Sequence, residues 1–437
     1  MAAFLFGATE GLCILGGRGS PVVGNAVSET RSRGGSGGEA QPSVRALGWL
    51  NFFLADIQTG VGPFVAAYLA ASHWDARAVG FALTGGGLVT VAVAPFAGGM
   101  VDASTRKRRL IAVATLALSV GAVLIGLGTK RPLIAIAMTL IGAAAAFLGP
   151  SLAAITLGIV GKDKFDRVFG RNQGFNAAGN VATALALAGV SWVLGLRSIF
   201  FFAAALAIPV WLTLRRIDPQ AIDNEVARGD GDKQESGGLA RFFMICSDRT
   251  LLIFFACAFL FHFANAAMLP QLGEMLAKGN QRAAAPFMSA CIIVTQCVIA
   301  VSAASVGRLA GSVGRKPLLL LGFGVLPVRG VLYSLTHVTG ALIAIQLLDG
   351  VANAIFGVVS ILLVADRMRG KGHFNLAQGG LAVCVGLGAA LSNAYGGMLA
   401  HRFGFGWSFV GLAAVGLAAF ALLWVGVPET LNGSPAS

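Results

Sequence analysis

The chain has 437 residues, of which 56% are hydrophobic and 12% charged, and its formal net charge is +13. Soluble domains average about 25% charged residues, and half that density cannot clothe a globular surface, which excludes an ordinary soluble enzyme. The apolar content excludes disorder over most of the chain, and the absence of short alternating strands excludes an outer-membrane barrel, leaving a polytopic helical membrane protein.

Residues 1–45 are rich in Gly, Ser and Arg and read as a disordered tail, whose mildly apolar stretch 4–17 lacks the basic flank of a signal peptide. Twelve apolar runs follow, at 46–72, 77–102, 107–128, 131–160, 167–195, 197–216, 248–278, 282–312, 317–336, 339–366, 371–402 and 405–427. A helix of about 20 residues crosses the hydrocarbon core, and tilt absorbs the longer runs. The longest polar interruption is 217–241, so the sequence predicts an N-terminal half at 46–216, a linker at 217–247, a C-terminal half at 248–427 and a short tail at 428–437.

Lys and Arg crowd alternate loops. The sparse side holds Arg77, Lys130, Arg131, Arg197, Lys278, Arg282 and Arg402. The positive-inside rule then places both termini in the cytoplasm, and it explains the net charge as topology rather than affinity for nucleic acid. Four of the six cysteines lie inside apolar runs, and none has metal-ligand spacing, so neither a disulfide framework nor a metal site is expected. The chain also lacks a Walker loop and a nucleophile elbow.

The two sets of six repeat each other. Gly98-Gly-Met-Val-Asp102 with Arg106-Lys107 aligns with Gly307-Arg-Leu-Ala-Gly311 with Arg315-Lys316. Pro63 aligns with Pro270, and Gln173-Gly174 with Gln378-Gly379, all at a nearly constant offset. Parallel six-helix repeats, with a binding site between them near the midplane, are an architecture of secondary transporters.

On these residues the chain resembles the major facilitator superfamily, whose mark is a loop G-x-x-x-D-x-x-x-R-[KR] between its second and third helices. The resemblance covers 46–427. It implies an all-α membrane protein of twelve transmembrane helices in two pseudo-symmetric six-helix halves. It further implies a monomer in the bacterial cytoplasmic (inner) membrane, with no enzymatic activity and no cofactor. By the same resemblance Gly98, Asp102, Arg106 and Lys107, with Gly307, Gly311, Arg315 and Lys316, form gating loops that latch the cytoplasmic ends of the halves. The second copy carries Gly311 where the first carries its acid. Asn51–Gln58, His262–Pro270 and Gln346–Gly350 are similar to a group of bacterial permeases of unsettled substrate within the superfamily. The run at 167–195 has no proline and the run at 131–160 has no deep arginine, which departs from the family's proton-coupled drug antiporters.

Ionisable groups at bilayer depth cost roughly 2.5–3.5 kcal/mol on insertion scales and need a partner or a wet cavity. Asp56 lies near the middle of the first run, Arg329 of the ninth and Asp349 of the tenth. Asp56 reads as a ligand for a cationic group or as a proton carrier. Arg329 and Asp349 read either as a fixed brace between helices or as a pair that breaks when substrate or proton binds. Gln346, Asp349 and Asn353 share a helix face, as do Gln173, Asn176 and Asn180, and as do His262 and Asn265. Asn265 corresponds by the repeat to Gln58. The sequence therefore nominates Asp56, Gln58, His262, Asn265, Asp349 and Asn353 for substrate and Asp56, Asp349 and Arg329 for proton coupling, with interhelical hydrogen bonding as the competing role and packing as that of His262. The expected function is secondary active transport of a small polar solute by alternating access, coupled to protons. The alternatives are a facilitator of the same fold or a non-transporting sensor.

Overall fold

The structure, a computed structural model, describes residues 40–228, 248–369 and 374–431, without the side chains of residues 40, 41, 56–61, 166 and 375. Most of the expected N-terminal tail, part of the linker and most of the C-terminal tail lie outside these residues. Twelve helices are described: α1 Ala40–Ala71, α2 Ala76–Ala103, α3 Lys107–Leu127, α4 Arg131–Val160, α5 Lys162–Leu194 and α6 Ser198–Arg215 come first. After the linker come α7 Arg249–Gly279, α8 Gln281–Ser312, α9 Arg315–Leu335, α10 Thr339–Met368, α11 Phe374–Phe403 and α12 Phe405–Gly426. Among the described residues, 11 helices are long and apolar enough to cross a membrane, and α1, 32 residues long, precedes them.

The helix α1 starts before the expected position 46, with Pro42 in its first turn, where the missing N–H breaks no helical bond. Two helices are interrupted, and proline explains both. In α6 the helix breaks at Leu206, because Pro209 cannot bond the Ala205 carbonyl and its ring crowds it. In α7 it breaks at Ala266 and Ala267, one turn before Pro270. The freed Ala267 N–H donates to Ser392 Oγ of α11 at 3.0 Å.

The packing order shows the pseudo-symmetry directly. In the first six helices α1 packs on α5, α2 on α4, and α3 on α4 and α6; in the second six α7 packs on α11, α8 on α10, and α9 on α10 and α12. Three large pairings join the two sets, α2 with α11, α8 with α5, and α1 with α7, and a smaller one joins α1 with α8.

These joining contacts are unequal along the bundle. The turns after odd-numbered helices define one end, here the odd end, and those after even-numbered helices the other, the even end. Near the odd end one apolar core mixes both sets, with Phe64, Leu187 and Ile199 beside Met268, Met288 and Phe409. A second, of Ala67, Ala70, Ala277 and Ala284, sits in the same seam. Toward the even end the cores separate. One contains Leu50, Leu118, Leu148 and Leu214 of the first set, and another Phe254, Phe323, Phe356 and Leu423 of the second.

Glycine sets how closely α2 and α11 approach. A Cβ on Gly80 would collide with the Asn393 carbonyl, and one on Gly397 with the Ala76 carbonyl. Thr84 Oγ1 donates to the Ala390 carbonyl at 2.7 Å between them. Toward the even end of the same joining helices, a Cβ on Gly98, Gly99, Gly170, Gly174 or Gly379 would meet nothing within 4 Å. The two sets share cores at the odd end and keep separate cores toward the even end.

Gly80→Leu therefore lowers thermal stability in detergent by about 1–3 kcal/mol, the range for overpacking, whereas Gly98→Ala changes it by no more than about 1 kcal/mol, and in the stabilising direction. Equal losses at the two positions contradict the unequal seam.

Candidate functional site

The bundle buries the guanidinium of Arg329 on α9, a group that lipid alone cannot accommodate, at 1% exposure. Four helices converge on it. Its Nη1 donates to Asp349 Oδ1 of α10 and to Asn265 Oδ1 of α7. Its Nε donates to the Tyr333 hydroxyl one turn on, at 3.4 Å, and the guanidinium lies 5.3 Å from the Tyr333 ring centroid. The carboxylate of Asp349 has further donors: Thr295 Oγ1 of α8 reaches Oδ2 at 3.3 Å, and Asn353 Nδ2 reaches Oδ1 at 2.9 Å and the Asp349 carbonyl at 2.8 Å. Asp349 is 7% exposed and Asn353 is half-buried. The cluster is thus closed around the cation and more open on the Asn353 side. A buried charge pair with its remaining lone pairs satisfied is the arrangement in which Coulomb attraction offsets desolvation.

The other nominated residues distribute as follows. His262 is 2% exposed, with Nδ1 at 3.1 Å from the Ala258 carbonyl and its ring edge-on to Phe356. Its ring packs against the core of the second set. Gln346 is fully buried beside the Cys291 thiol. In α5, Asn180 Nδ2 donates to Asn176 Oδ1 at 3.4 Å. Asp56 and Gln58 belong to α1, and their side chains lie outside the described residues.

At the even end, the two copies of the loop motif differ in their surroundings. In the first, Lys107 is 1% exposed and donates to the Ser104 carbonyl at 2.7 Å, while Asp102 and Arg106 are exposed and Gly98 is half-buried. In the second, Gly314 takes a φ of 109° and opens α9, with Gly307 buried and Gly311 exposed just before it. Arg315 Nε pairs with Asp366 at 3.1 Å, and Lys316 Nζ donates to the Trp424 carbonyl at 2.7 Å. Arg367 pairs with Asp248, the cap of α7, at 2.8 Å.

The residue that organises the second copy is Glu429, which no motif marks. Its carboxylate accepts from the backbone N–H of Arg315 at 2.9 Å and of Lys316 at 3.0 Å, at the positive end of α9, and from those of Thr430 and Leu431. Burial pulls its carboxyl up, but these four donors outweigh it and hold the group below its ordinary 4.5. Thr295 and Tyr333 were equally invisible, since a threonine in an apolar run and a tyrosine one turn from an arginine carry no distinctive spacing.

Comparison with known proteins agrees with this architecture. The family model for the Major Facilitator Superfamily matches residues 47–328 and 296–437. An uncharacterized MFS-type transporter of Mycobacterium tuberculosis, in strains CDC 1551 / Oshkosh and ATCC 25618 / H37Rv, is 39% identical over 392 residues, covering 89% of this chain and 94% of the relative. Among solved structures, the nucleoside transporter NupG superposes with a TM-score of 0.74 at 14% identity, over 87% of this chain and 98% of its own. A bacterial homolog of the human lysosomal transporter Spinster, inward-facing and occupied, gives 0.72 at 14%, over 92% and 100%. A D-xylose–proton symporter gives 0.66 at 16%, over 90% and 98%. At such identities the structural likeness is one of fold.

Two measurements check the geometry. Asp349→Ala, which strands the Arg329 charge, costs about 3–5 kcal/mol of stability, and the Arg329→Met/Asp349→Leu double variant costs less than the sum of its single changes in a double-mutant cycle; additive losses contradict the pair. Because the Glu429 carboxyl is depressed in the folded protein, its stabilisation is present above the ordinary 4.5 and fades as pH falls through the lower folded value. The melting-temperature gap between wild type and Glu429→Gln should therefore shrink on acidification below 4.5; a constant gap contradicts the cap.

Proposed function

Because the chain belongs to the major facilitator superfamily, we propose that it moves a small polar solute across the cytoplasmic membrane by alternating access, coupled to protons. The observation that supports this most is the unequal seam. Shared apolar cores close the odd end, while toward the even end each set keeps a core of its own. A bundle with one tight and one loose end has the form required for rocking about a central site.

In this reading the even end faces the cytoplasm, as do both termini, and the chain works as a monomer in a bacterial inner membrane. The solute reaches the midplane between the halves and meets Asn353 and Asp349 on one side and Asp56 and Gln58 on the other. Asp349 is the coupling carboxylate. A proton on it would weaken its bond to Arg329 and free the guanidinium and the Asn265 amide for an anionic or zwitterionic solute. His262 keeps the surroundings in register. Arg106 and Lys107 in the first loop, and Arg315 and Lys316 in the second, latch the cytoplasmic ends when the even end closes.

The test is reconstitution into liposomes holding a pH-sensitive dye, challenged with amino acids, organic acids and amines. One class should move protons with wild type and fail to do so with Asp349→Asn. Solute uptake with no proton movement would make the protein a facilitator and return Arg329–Asp349 to the role of a brace.

A further inference from the structure

Glu274 lies in the seam between the two sets of helices, away from the Arg329 cluster, and neither the loop motif nor the repeat marks it. It sits on α7, 2% exposed, and its Oε2 has no hydrogen-bond partner. One turn earlier on the same face, Gln271 is also 2% exposed, and both its amide oxygen and nitrogen lack a partner. The Gln271 amide abuts Gly396 of α11, and Gly273 between them packs on Met288 of α8. Ala277, one turn beyond, meets Ala67 and Ala70 of α1. Three unpartnered polar atoms therefore lie together where the odd end is closed.

The nearby charges are engaged elsewhere. Lys278 and Asp75 are the charged groups that act on Glu274. Lys278 Nζ lies 5.0 Å over the Phe405 ring, and no salt bridge forms between it and Glu274. Asp75 caps α2 by accepting from Ala78 N at 2.8 Å, and faces His401 Nδ1 of α11 at 3.7 Å. Other titratable groups toward this end are Tyr68 of α1, tilted against Phe200, Tyr395 of α11, tilted against Phe263, Arg282 at the exposed start of α8, and Arg402, stacked over Phe403, with His73, Arg77, Lys130, Arg131, Arg197 and His337 at the helix ends and turns there. The helix α12 has no titratable side chain.

An anionic carboxylate without a cation or donor group beside it is among the costliest groups to bury. The neutral acid is a donor, and the unpartnered Gln271 Oε1, one turn earlier on the same helix, is an acceptor. We propose that Glu274 is a proton-binding gate of this seam, holding a proton while the odd end is closed and releasing it to water when that end opens. On opening, the carboxyl O–H bond breaks, the electron pair stays on the carboxylate, and the proton passes to bulk water. The closed seam is then favoured as pH falls. This rests on the alternating-access reading above and adds a titrating site to it that is separate from Asp349.

The experiment uses the full-length purified protein. Infrared spectra near neutral pH should contain a protonated-carboxyl band that is lost in Glu274→Gln and kept, shifted, in Glu274→Asp. Amide hydrogen exchange over residues 64–72, corrected for intrinsic rates, should rise by up to about tenfold per pH unit in wild type, the limit for one proton, and stay low and flat in Glu274→Gln. An unchanged band in Glu274→Gln overturns the proposal, as does exchange that keeps its pH dependence in that variant. If both expected results appear but no solute moves in liposomes, the proton site stands and the transport reading falls.

Discussion

Helices in lipid gain nothing from hiding apolar side chains from one another, because the tails around them are equally apolar. They associate where backbones come close enough for dispersion and weak polar contacts. In this bundle that constraint decides which surfaces can separate. Small residues bring α2 and α11 into backbone contact near the odd end, where Gly80 and Gly397 face carbonyls of the opposite helix and Thr84 bonds Ala390. Toward the even end the same helices keep glycines that touch nothing. The attraction is local, so the two sets are held at one end and each retains its own core at the other.

The polar interior follows from the same solvent. A guanidinium in hydrocarbon must carry its partners with it, and Arg329 gathers Asp349, Asn265 and Tyr333, with Thr295 and Asn353 completing the carboxylate. This ties α7, α8, α9 and α10 into one unit whose polarity lies on the side of Asn353. The break in α7 at Ala266 and Ala267 belongs to this arrangement, for it follows Asn265 directly and its loose N–H is taken by Ser392. At the even end Glu429 plays the corresponding part for α9, joining its first turn to the residues after α12.

Much of this was legible in the sequence, for a physical reason. Arg329 and Asp349 stand out as charges in apolar runs, and the lipid solvent forces such charges together. The repeat exposed Asn265 through its counterpart Gln58, and it foretold the matched pairings of the two sets. Other features left no mark. Glu274 sits near the end of its run, close to Lys278, and looks like an ordinary boundary charge until burial is known. Thr295 and Tyr333 act through position in three dimensions, which spacing along one helix does not reveal. Pro209 and Pro270 are plain in the sequence, but whether a proline bends a membrane helix or interrupts it depends on what satisfies the freed backbone, as Ser392 does for α7 and as no sequence pattern announces.

Alternating access requires the odd and even ends to open in turn. Its most direct test is pulsed electron paramagnetic resonance on a cysteine-free background, with one spin-label pair at Ala71 and Gln281, joined at the odd end by a 3.0 Å hydrogen bond, and another at Met100 and Leu376 toward the even end. Alternating access gives two populations in exchange, one with the first pair short and the second long, and one with the reverse, whose ratio shifts with pH or solute. A single distance for each pair under all conditions, or both pairs lengthening together, would contradict it.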